Sequence, residues 1–167
     1  MESDVIGTFE SALRGVDVGL ERTTAADARD AIAEVLESPA VGTPLPFDGV
    51  SLPEAVETEP TPDELEDATT GITAIEFAVA NYGSVAIRSS PAGEEPVSLY
   101  ADVHVAVVAA SDVLPNMEAA FERLGTDARD GADTVLATGP SATADMGALV
   151  TGAHGPKAVR VVVVENR

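Results

Sequence analysis

The sequence predicts an α/β domain in which helices cover a mostly parallel sheet. From residue 71 onward, apolar segments of strand type alternate with amphipathic segments of helix type. The β-branched run Val103–Ala109 is typical of a strand buried on both faces, so it marks the sheet centre. A length of 167 residues suits one domain, residues 1–167, with a core of its own.

Two amphipathic helices are predicted within residues 1–40. Residues 3–16 place Val5, Phe9 and Leu13 at helical spacing. The second helix begins near Thr24, which can act as its cap, and ends before Pro39. The next segments are expected to be a loop at 41–46, a short strand at 50–52 and an acidic, proline-bearing exposed loop at 57–67.

The remaining segments predict strands and helices in turn. The expected order is an apolar segment at 73–80, a strand at 84–87, a turn at 90–93 into the apolar segment 97–100, the central strand, and a helix from Asp112 to Leu124 ended by Gly125. Met117 and Phe121 are expected on the inner face of that helix. A strand at 134–138, a helix at 143–150 and a strand at 158–164 complete a right-handed crossover.

The charge balance is strongly acidic. Asp and Glu total 29 against nine Lys and Arg, for a formal net charge of −20, while 45% hydrophobic residues still predict a packed core. Such a surface repels nucleic acid and anionic membranes. The acids are spread along the chain, which favours adaptation to high salt over an acidic partner-binding patch. The start of the chain has no signal-peptide pattern and no apolar run approaches about 18 residues, so we expect a cytoplasmic protein with no membrane span.

The chain has no cysteine, which excludes a disulfide framework, a thiolate zinc site, a cysteine-ligated iron–sulfur cluster and a cysteine nucleophile. The sequence also lacks the glycine-rich dinucleotide and phosphate-loop motifs, the Gly-x-Ser-x-Gly motif and histidine pairs at metal spacing. Ordinary dehydrogenase, nucleotidase and hydrolase functions are therefore disfavoured. No metal site is predicted, the cofactor stays unknown, and any redox chemistry belongs to a partner or a bound cofactor.

The segment 138–146 is the most informative one for function. Because it is expected to connect a strand to a helix, Gly139 would allow a tight turn, while Ser141, Thr143 and the free N–H groups of the first helical turn would bind a carboxylate or phosphate. The alternative is a structural turn in which Ser141 or Thr143 caps the helix and Asp145 complements its dipole.

A second segment, residues 152–157, follows the predicted helix. His154 could transfer a proton, bind a metal or only hydrogen-bond the backbone of a turn, whereas His104 is expected to be a core histidine. A helix of eight to ten residues would separate Ser141 from His154 by roughly 12–15 Å, so the two need not share a site. If the strand at 84 runs parallel to the last strand, the loop before it, with Gly83 and Ser84, lies on the sheet edge that carries His154.

These two segments resemble a known family. Residues 138–145 (TGPSATAD), followed by residues 152–156 (GAHGP), resemble the C-terminal motif of LUD-domain proteins, the lactate-utilization protein C group. Upstream, residues 71–73, 78–80 and 83–84 are similar to the region before that family's central hairpin. The resemblance extends over the whole chain and is weakest over the first 60 residues.

The resemblance implies a Rossmann-like three-layer α/β/α fold related to the NagB, RpiA and CoA-transferase enzymes. It also implies a part in oxidising L-lactate to pyruvate beside iron–sulfur partner subunits. The residues that match the family motif, and so become candidates for ligand binding, are Gly139, Ser141, Thr143, Asp145, His154 and Gly155, with Gly83 and Ser84 from the upstream region; Asp145 and His154 are the catalytic candidates.

The chain departs from the family pattern at three positions. Asn81 and Tyr82 stand where the family usually has an acidic residue and a threonine, and Ala142 stands where it often has an arginine. If those residues handle a proton or an anionic ligand in relatives, the activity of this chain is altered or lost.

Three hypotheses follow. The first is a subunit or accessory factor of lactate oxidation, without an iron–sulfur cluster, that binds a small anionic metabolite or a partner protein. The second is a stand-alone enzyme on a CoA, folate or sugar-phosphate substrate, with Asp145 or His154 transferring a proton. The third is a structural or regulatory module in which the motifs only build turns. The sequence leaves the oligomeric state open.

Overall fold

Helices and strands alternate along most of the chain. The structure is a computed structural model; it describes residues 2–167, except for the side chains of Glu2, Ser3 and Asp145. The helices are α1 (Glu2–Arg14), α2 (Ala28–Val35), α3 (Pro62–Glu66), α4 (Glu94–Tyr100) and α5 (Met117–Arg129). The strands are β1 (Gly19–Thr23), β2 (Ala40–Gly42), β3 (Val56–Glu57), β4 (Thr70–Ala74), β5 (Phe77–Val79), β6 (Ser84–Arg88), β7 (Val103–Ala109), β8 (Val113–Leu114), β9 (Thr134–Thr138), β10 (Ala142–Asp145), β11 (Ala148–Thr151) and β12 (Ala158–Val164).

The main sheet is parallel and has β7 near its centre. Its strand order is β1-β12-β7-β4-β2-β3, and each neighbouring pair runs parallel. Strands β7 and β12 pair along their whole length. Both are rich in valine, because β-branched side chains suit a parallel sheet that is covered on both faces. The predicted α/β class with a mostly parallel central sheet is confirmed.

The two faces of the main sheet are covered differently. One face packs against α2 and the segment that follows β2, with Ile32 in the core. The other packs against α1, through Phe9 and Leu13, and against a second sheet of order β8-β5-β6-β9. Full burial of each of those two side chains contributes roughly 1.5–3 kcal/mol. Helix α5 packs on the outside of the second sheet through residues that include Ala120. The sequence pattern did not predict this second sheet inside a covering layer.

Several predicted elements in the first 70 residues were wrong. The region 1–40 contains the edge strand β1 besides its two helices, and α2 begins at Ala28 because residues 24–27 form a turn. Strand β2 occupies the start of the expected loop at 41–46, and the expected strand at 50–52 is coil after a turn at Gly49, where φ is +77°. The acidic segment 57–67 is largely exposed, yet it contains α3, whose capping box joins Thr61 and Glu64.

The predicted helix 112–124 begins and ends later than expected. Asn116 caps α5 by accepting a hydrogen bond from the N–H of Ala119, and the helix continues through Gly125 to Arg129. Asp112 lies instead in a short 3₁₀ turn and pairs with Arg123 at 3.7 Å. Pro115 explains the shift, because the residue before proline and proline itself are poor interior helix positions. Phe121, expected inside, is 66% exposed.

The apolar segment 97–100 lies in α4, a helix that packs directly on the main sheet. A Cβ at Gly71 of β4 would lie 2.2 Å from the carbonyl oxygen of Val97, so only glycine permits this contact. Two acidic residues, Glu94 and Glu95, occupy the first turn of α4, where they complement the helix dipole. Helix α4 therefore sits close enough to the sheet to form one wall of the cavity described below.

Carboxylates lie almost entirely at the surface of the described residues. Asp127 is the one buried Asp or Glu among the side chains that the structure describes. It lies 3.9 Å from Arg88, which joins α5 to β6. Within residues 2–167, no helix combines the length and hydropathy that are needed to cross a bilayer.

Candidate functional site

A cavity of about 450 Å³ lies between the two sheets. This volume is within the range of small-molecule sites. Main-sheet residues, including Val159 and Val161 of β12, form one wall, and second-sheet residues, including Val85 of β6 and Ala137 of β9, form the opposite wall. The connections before and after the hairpin β10–β11 form part of the lining, as do Ser98 and Leu99 of α4.

The hairpin replaces a predicted helix. Residues 143–150 were expected to be helical, but β10 and β11 pair antiparallel, with Thr143 opposite Val150. The turn between them, Met146 and Gly147, has φ values of +50° and +80°, which is the backbone of a two-residue hairpin turn. The proposed anion site at a helix N-terminus and the helix-capping alternative for Ser141 and Thr143 are both wrong, since the helix does not exist.

Because a hairpin returns to its starting point, it brings the two motif segments together. Ser141 donates its backbone N–H to the carbonyl of Pro156 at 2.9 Å and accepts from the N–H of Gly152 at 2.8 Å. In the sequence, His154 lies between Gly152 and Pro156, and both Ser141 and His154 line the cavity. The expected separation of 12–15 Å along a helix is therefore wrong, as is the crossover on which it depended.

The two motif segments lie so close together that only glycine fits at position 155. A Cβ at Gly155 would lie 2.8 Å from the Cβ of Ser141 and 3.1 Å from its hydroxyl oxygen. Such contacts are far below ordinary van der Waals distances, so any side chain here would displace Ser141. Gly155 lines the cavity and fixes the position of the serine.

Two further glycines hold the cavity wall against the first helix and the turn that follows it. Gly139 has a φ of +69°, and a Cβ there would lie 3.1 Å from the Cβ of Val16. Gly83 has a φ of +65°, and a Cβ there would meet the backbone of Ala12 at 3.1 Å. Both glycines line the cavity, so these two candidate residues shape the site through their backbone.

Two other candidate residues, Ser84 and Thr143, lie outside the described lining. Ser84 is buried and shares a 2.6 Å hydrogen bond with the hydroxyl of Thr138, which does line the cavity. Thr143 lies on the hairpin strand β10, away from the described lining. The backbone of Asp145 ends the same strand, but its side chain lies outside the described residues.

His104 was expected to be a core residue, and it is both a core residue and part of the cavity lining. It is 2% exposed, and its Nε2 lies 2.8 Å from the Thr73 hydroxyl. Burial lowers the pKa of His104 from 6.5 to about 4, because the imidazolium would lose its hydration. The ring is therefore neutral at physiological pH. Its place inside an apolar strand is visible in the sequence, but that pattern predicts a packed core histidine and not one that also lines a cavity.

The cavity lies toward the amino-terminal edge of the main sheet. Pro156 and His154 immediately precede β12, and His104 is the second residue of β7. The segment 138–146 does not follow a strand of the parallel sheet, because β9 belongs to the second sheet and pairs antiparallel with β6. Gly83 and His154 do meet at one cavity.

Charge is excluded from the described lining. Of the side chains that the structure describes, no Asp, Glu, Lys or Arg lines the cavity. The single lysine, Lys157, lies just beyond Pro156 and pairs with Asp102 at 2.9 Å, with both side chains more than half exposed. The polar lining groups with side-chain hydroxyls or imidazoles are Ser98, His104, Thr138, Ser141 and His154.

The departures from the family motif have different positions. Ala142 lines the cavity, so an arginine side chain at this position would start from the cavity wall. Asn81 and Tyr82 are exposed and lie outside the lining, beside the buried Gly83. Of the three departures, the alanine at position 142 therefore bears directly on the site.

Comparison with known proteins identifies the family of this chain. A model of the LUD domain matches residues 16–164. The chain belongs to the LUD-domain family. The match includes the two sheets, the hairpin and every residue named above as a site candidate.

Among curated relatives, the LUD domain is similar to the lactate utilization protein C of three bacilli. The identity is 32% over 110 residues for Bacillus velezensis, 35% over 108 for Bacillus licheniformis and 33% over 107 for Bacillus subtilis. These alignments cover 61–63% of this chain and 45–46% of each relative. The chain thus spans about half the length of the curated relatives it matches.

A solved structure has the same fold. The crystal structure of a DUF162 family protein from Deinococcus radiodurans superimposes with a TM-score of 0.77 and covers 98% of both chains at 20% identity. At this identity the likeness concerns the fold of the LUD domain alone.

Proposed function

We propose that this LUD domain takes part in the oxidation of L-lactate to pyruvate as a subunit or accessory factor without an iron–sulfur cluster. In this proposal it binds a small anionic metabolite in the cavity between the sheets and works beside iron–sulfur partner subunits. The name of its relatives, lactate utilization protein C, supports the pathway, and the absence of cysteine fits a division of labour in which partners carry the electrons.

One observation carries the metabolite part of the proposal. Ser141 and His154 are 13 positions apart in the sequence, yet they line the same cavity and are joined through the backbone bonds on either side of the histidine. A serine hydroxyl and an imidazole N–H can both donate to a carboxylate. His154 is exposed and can also exchange a proton with a bound 2-hydroxy acid.

A substrate that carries phosphate, such as a CoA, folate or sugar-phosphate compound, is less well supported. Phosphate sites usually combine backbone N–H groups at a helix N-terminus with lysine or arginine. The helix expected at residues 143–150 is a hairpin, and the described lining includes no lysine or arginine. The enzyme hypothesis for such substrates therefore ranks below binding of a carboxylate.

Contact with a partner protein is supported by the hairpin. Met146 is 98% exposed and Leu149 is 74% exposed, which is unusual for large apolar side chains grouped on one short element. The hairpin stands directly beside the cavity connections, so a partner seated on it would also reach a bound metabolite.

We also propose that the protein works in the cytoplasm of a cell with a salt-rich interior. A net charge of −20 creates strong self-repulsion at low ionic strength, and salt screens it. The same carboxylates make a nucleic-acid partner unfavourable.

The first experiment is calorimetric titration of the purified protein in molar KCl with L-lactate, D-lactate and pyruvate. Wild type should bind one of these acids saturably, and His154→Gln and Ser141→Ala should each weaken binding by about tenfold, the value of one charge-assisted hydrogen bond. Ser51→Ala, an exposed serine outside the described lining, serves as the matched control. No binding of any of these acids would contradict the metabolite part of the proposal.

The partner part has its own test. Co-expression with the iron–sulfur subunits of a lactate-oxidising system should yield a complex that survives affinity purification in molar KCl. Replacing Leu149 with aspartate on the hairpin should dissociate the complex while leaving the melting temperature unchanged, because that side chain is exposed. A complex that forms equally well with the aspartate variant would contradict a docking role for the hairpin.

A further inference from the structure

The separation of charge from the cavity restricts which acid can bind. Charged residues number 38 of 167, yet none of the described side chains that line the cavity is charged. Most of the described lining residues have no polar side-chain atom, and they include Val85 and Ile87 on one sheet and Val159 and Val161 on the other. These four side chains are at least 94% buried.

A carboxylate deep in such a cavity would be unfavourable. An ionised group that moves from water to an apolar environment without a partner loses its hydration and gains nothing in return. The one polar ring on the main-sheet wall, His104, is uncharged at neutral pH and is already hydrogen-bonded to Thr73. It cannot supply a compensating positive charge.

The opening of the cavity is different. His154 is exposed and Ser141 is half-buried, so both reach the cavity from its solvent side. A carboxylate held there keeps part of its hydration and gains two donors. The charge of the ligand is therefore expected at the opening and its carbon body between the sheets.

The cavity volume then indicates how large the apolar part of the ligand is. Lactate has a methyl group as its only apolar part, which would leave most of a cavity of about 450 Å³ without contact. A ligand with a longer apolar part makes contacts along the cavity walls that lactate cannot reach.

From the lining and the volume, we propose that the cavity selects monocarboxylates with an apolar body longer than that of lactate. The carboxylate binds at Ser141 and His154, and an alkyl or aryl group lies between β6 and β9 on one side and β12 on the other. This inference rests on the proposed function, because it specifies the metabolite that the same site binds.

The test is a homologous series of 2-hydroxy acids: lactate, 2-hydroxybutyrate, 2-hydroxyhexanoate and 2-hydroxyoctanoate. Burial of each added methylene should tighten Kd about fourfold until the cavity is filled. Calorimetry in molar KCl at concentrations below micelle formation measures each Kd.

A matched pair of variants locates the effect. Ala137→Met adds bulk to the second-sheet wall, so it should abolish the gain in affinity of the longer acids over lactate. Ala144→Met makes the same change at an exposed position of the hairpin, outside the described lining, and should leave the whole series as in wild type.

The outcomes separate this inference from the proposed function. Equal affinity for all four acids would overturn the inference and leave binding of a small anion intact. Failure of every acid to bind would overturn both. A chain-length dependence that persists in Ala137→Met would indicate association with apolar surface elsewhere and would also overturn the inference.

Discussion

Replacing His104 with phenylalanine should make the folded state less sensitive to mild acid. In the wild type this ring is 2% exposed, and burial lowers its pKa from 6.5 to about 4. The unfolded chain therefore takes up a proton below pH 6.5, whereas the folded chain does so only near pH 4. The stabilisation due to the neutral ring is complete above about pH 6.5 and is lost as the pH falls toward 4.

The magnitude follows from those two pKa values. At about 1.36 kcal/mol per pH unit of difference, the linkage relation predicts a loss of about 2 kcal/mol between pH 7 and pH 5, and about 3 kcal/mol below pH 4. Partial burial raises the pKa of Asp112, so protonation of this carboxyl group stabilises the folded state as the pH falls. Asp112 therefore cannot account for a loss of stability in mild acid.

Urea unfolding in molar KCl at the two pH values provides the assay. With a dependence on urea of about 2 kcal/mol per molar, the wild-type midpoint should fall by about 1 M between pH 7 and pH 5. The phenylalanine variant leaves the Thr73 hydroxyl without its partner, so it should be less stable at pH 7 but change much less with pH. A second variant, His104→Gln, guards against poor folding of the first. If both variants lose as much stability as wild type between pH 7 and pH 5, the pH dependence does not come from His104.

The remaining predictions concern packing and charge. Gly155→Ala places a Cβ 2.8 Å from that of Ser141, so it should lower unfolding free energy by about 1–3 kcal/mol and weaken metabolite binding, as measured by urea unfolding and calorimetry; unchanged binding would contradict the role of this glycine. Gly7→Ala in α1, where a Cβ meets nothing within 4 Å, should instead raise unfolding free energy by about 0.5–1 kcal/mol, and a decrease would show a contact that the structure lacks. Raising KCl from millimolar to molar should increase the melting temperature because salt screens a net charge of −20, and a melting temperature independent of salt would contradict adaptation to salt.

The parallel core of the fold could be predicted because its signals are local. Strands β7 and β12 are nearly continuous runs of apolar, mostly β-branched residues, and α1 has its apolar residues at helical spacing. In each case residues that are neighbours in the sequence indicate the type of element. Short strands such as β1 and β2 could not be predicted, because five-residue and three-residue segments carry too little periodicity. Their pairing with β12 and β4 stabilises them through contacts distant in sequence.

The hairpin at residues 142–151 shows why the site was only partly predicted. Its alanines and the polar residues before them resemble a capped helix, and its turn is Met146-Gly147 rather than the asparagine–glycine pair that usually indicates such a hairpin. The motif residues Ser141, His154 and Gly155 could be selected from the sequence, but their convergence could not, because it depends on the hairpin. The role of His104 as lining depends on a cavity between two sheets, one of which the pattern did not indicate.

The central claim is that an acid binds at the opening of the cavity, beside Ser141 and His154. The chain has two histidines, so imidazole NMR of a histidine-labelled sample gives two sets of resonances, which His154→Gln assigns. Titration with lactate or a longer 2-hydroxy acid should shift the His154 resonances saturably, with the Kd found by calorimetry, and Ser141→Ala should weaken that Kd. An acid that binds by calorimetry and leaves the His154 resonances unmoved would place its site elsewhere and contradict the account.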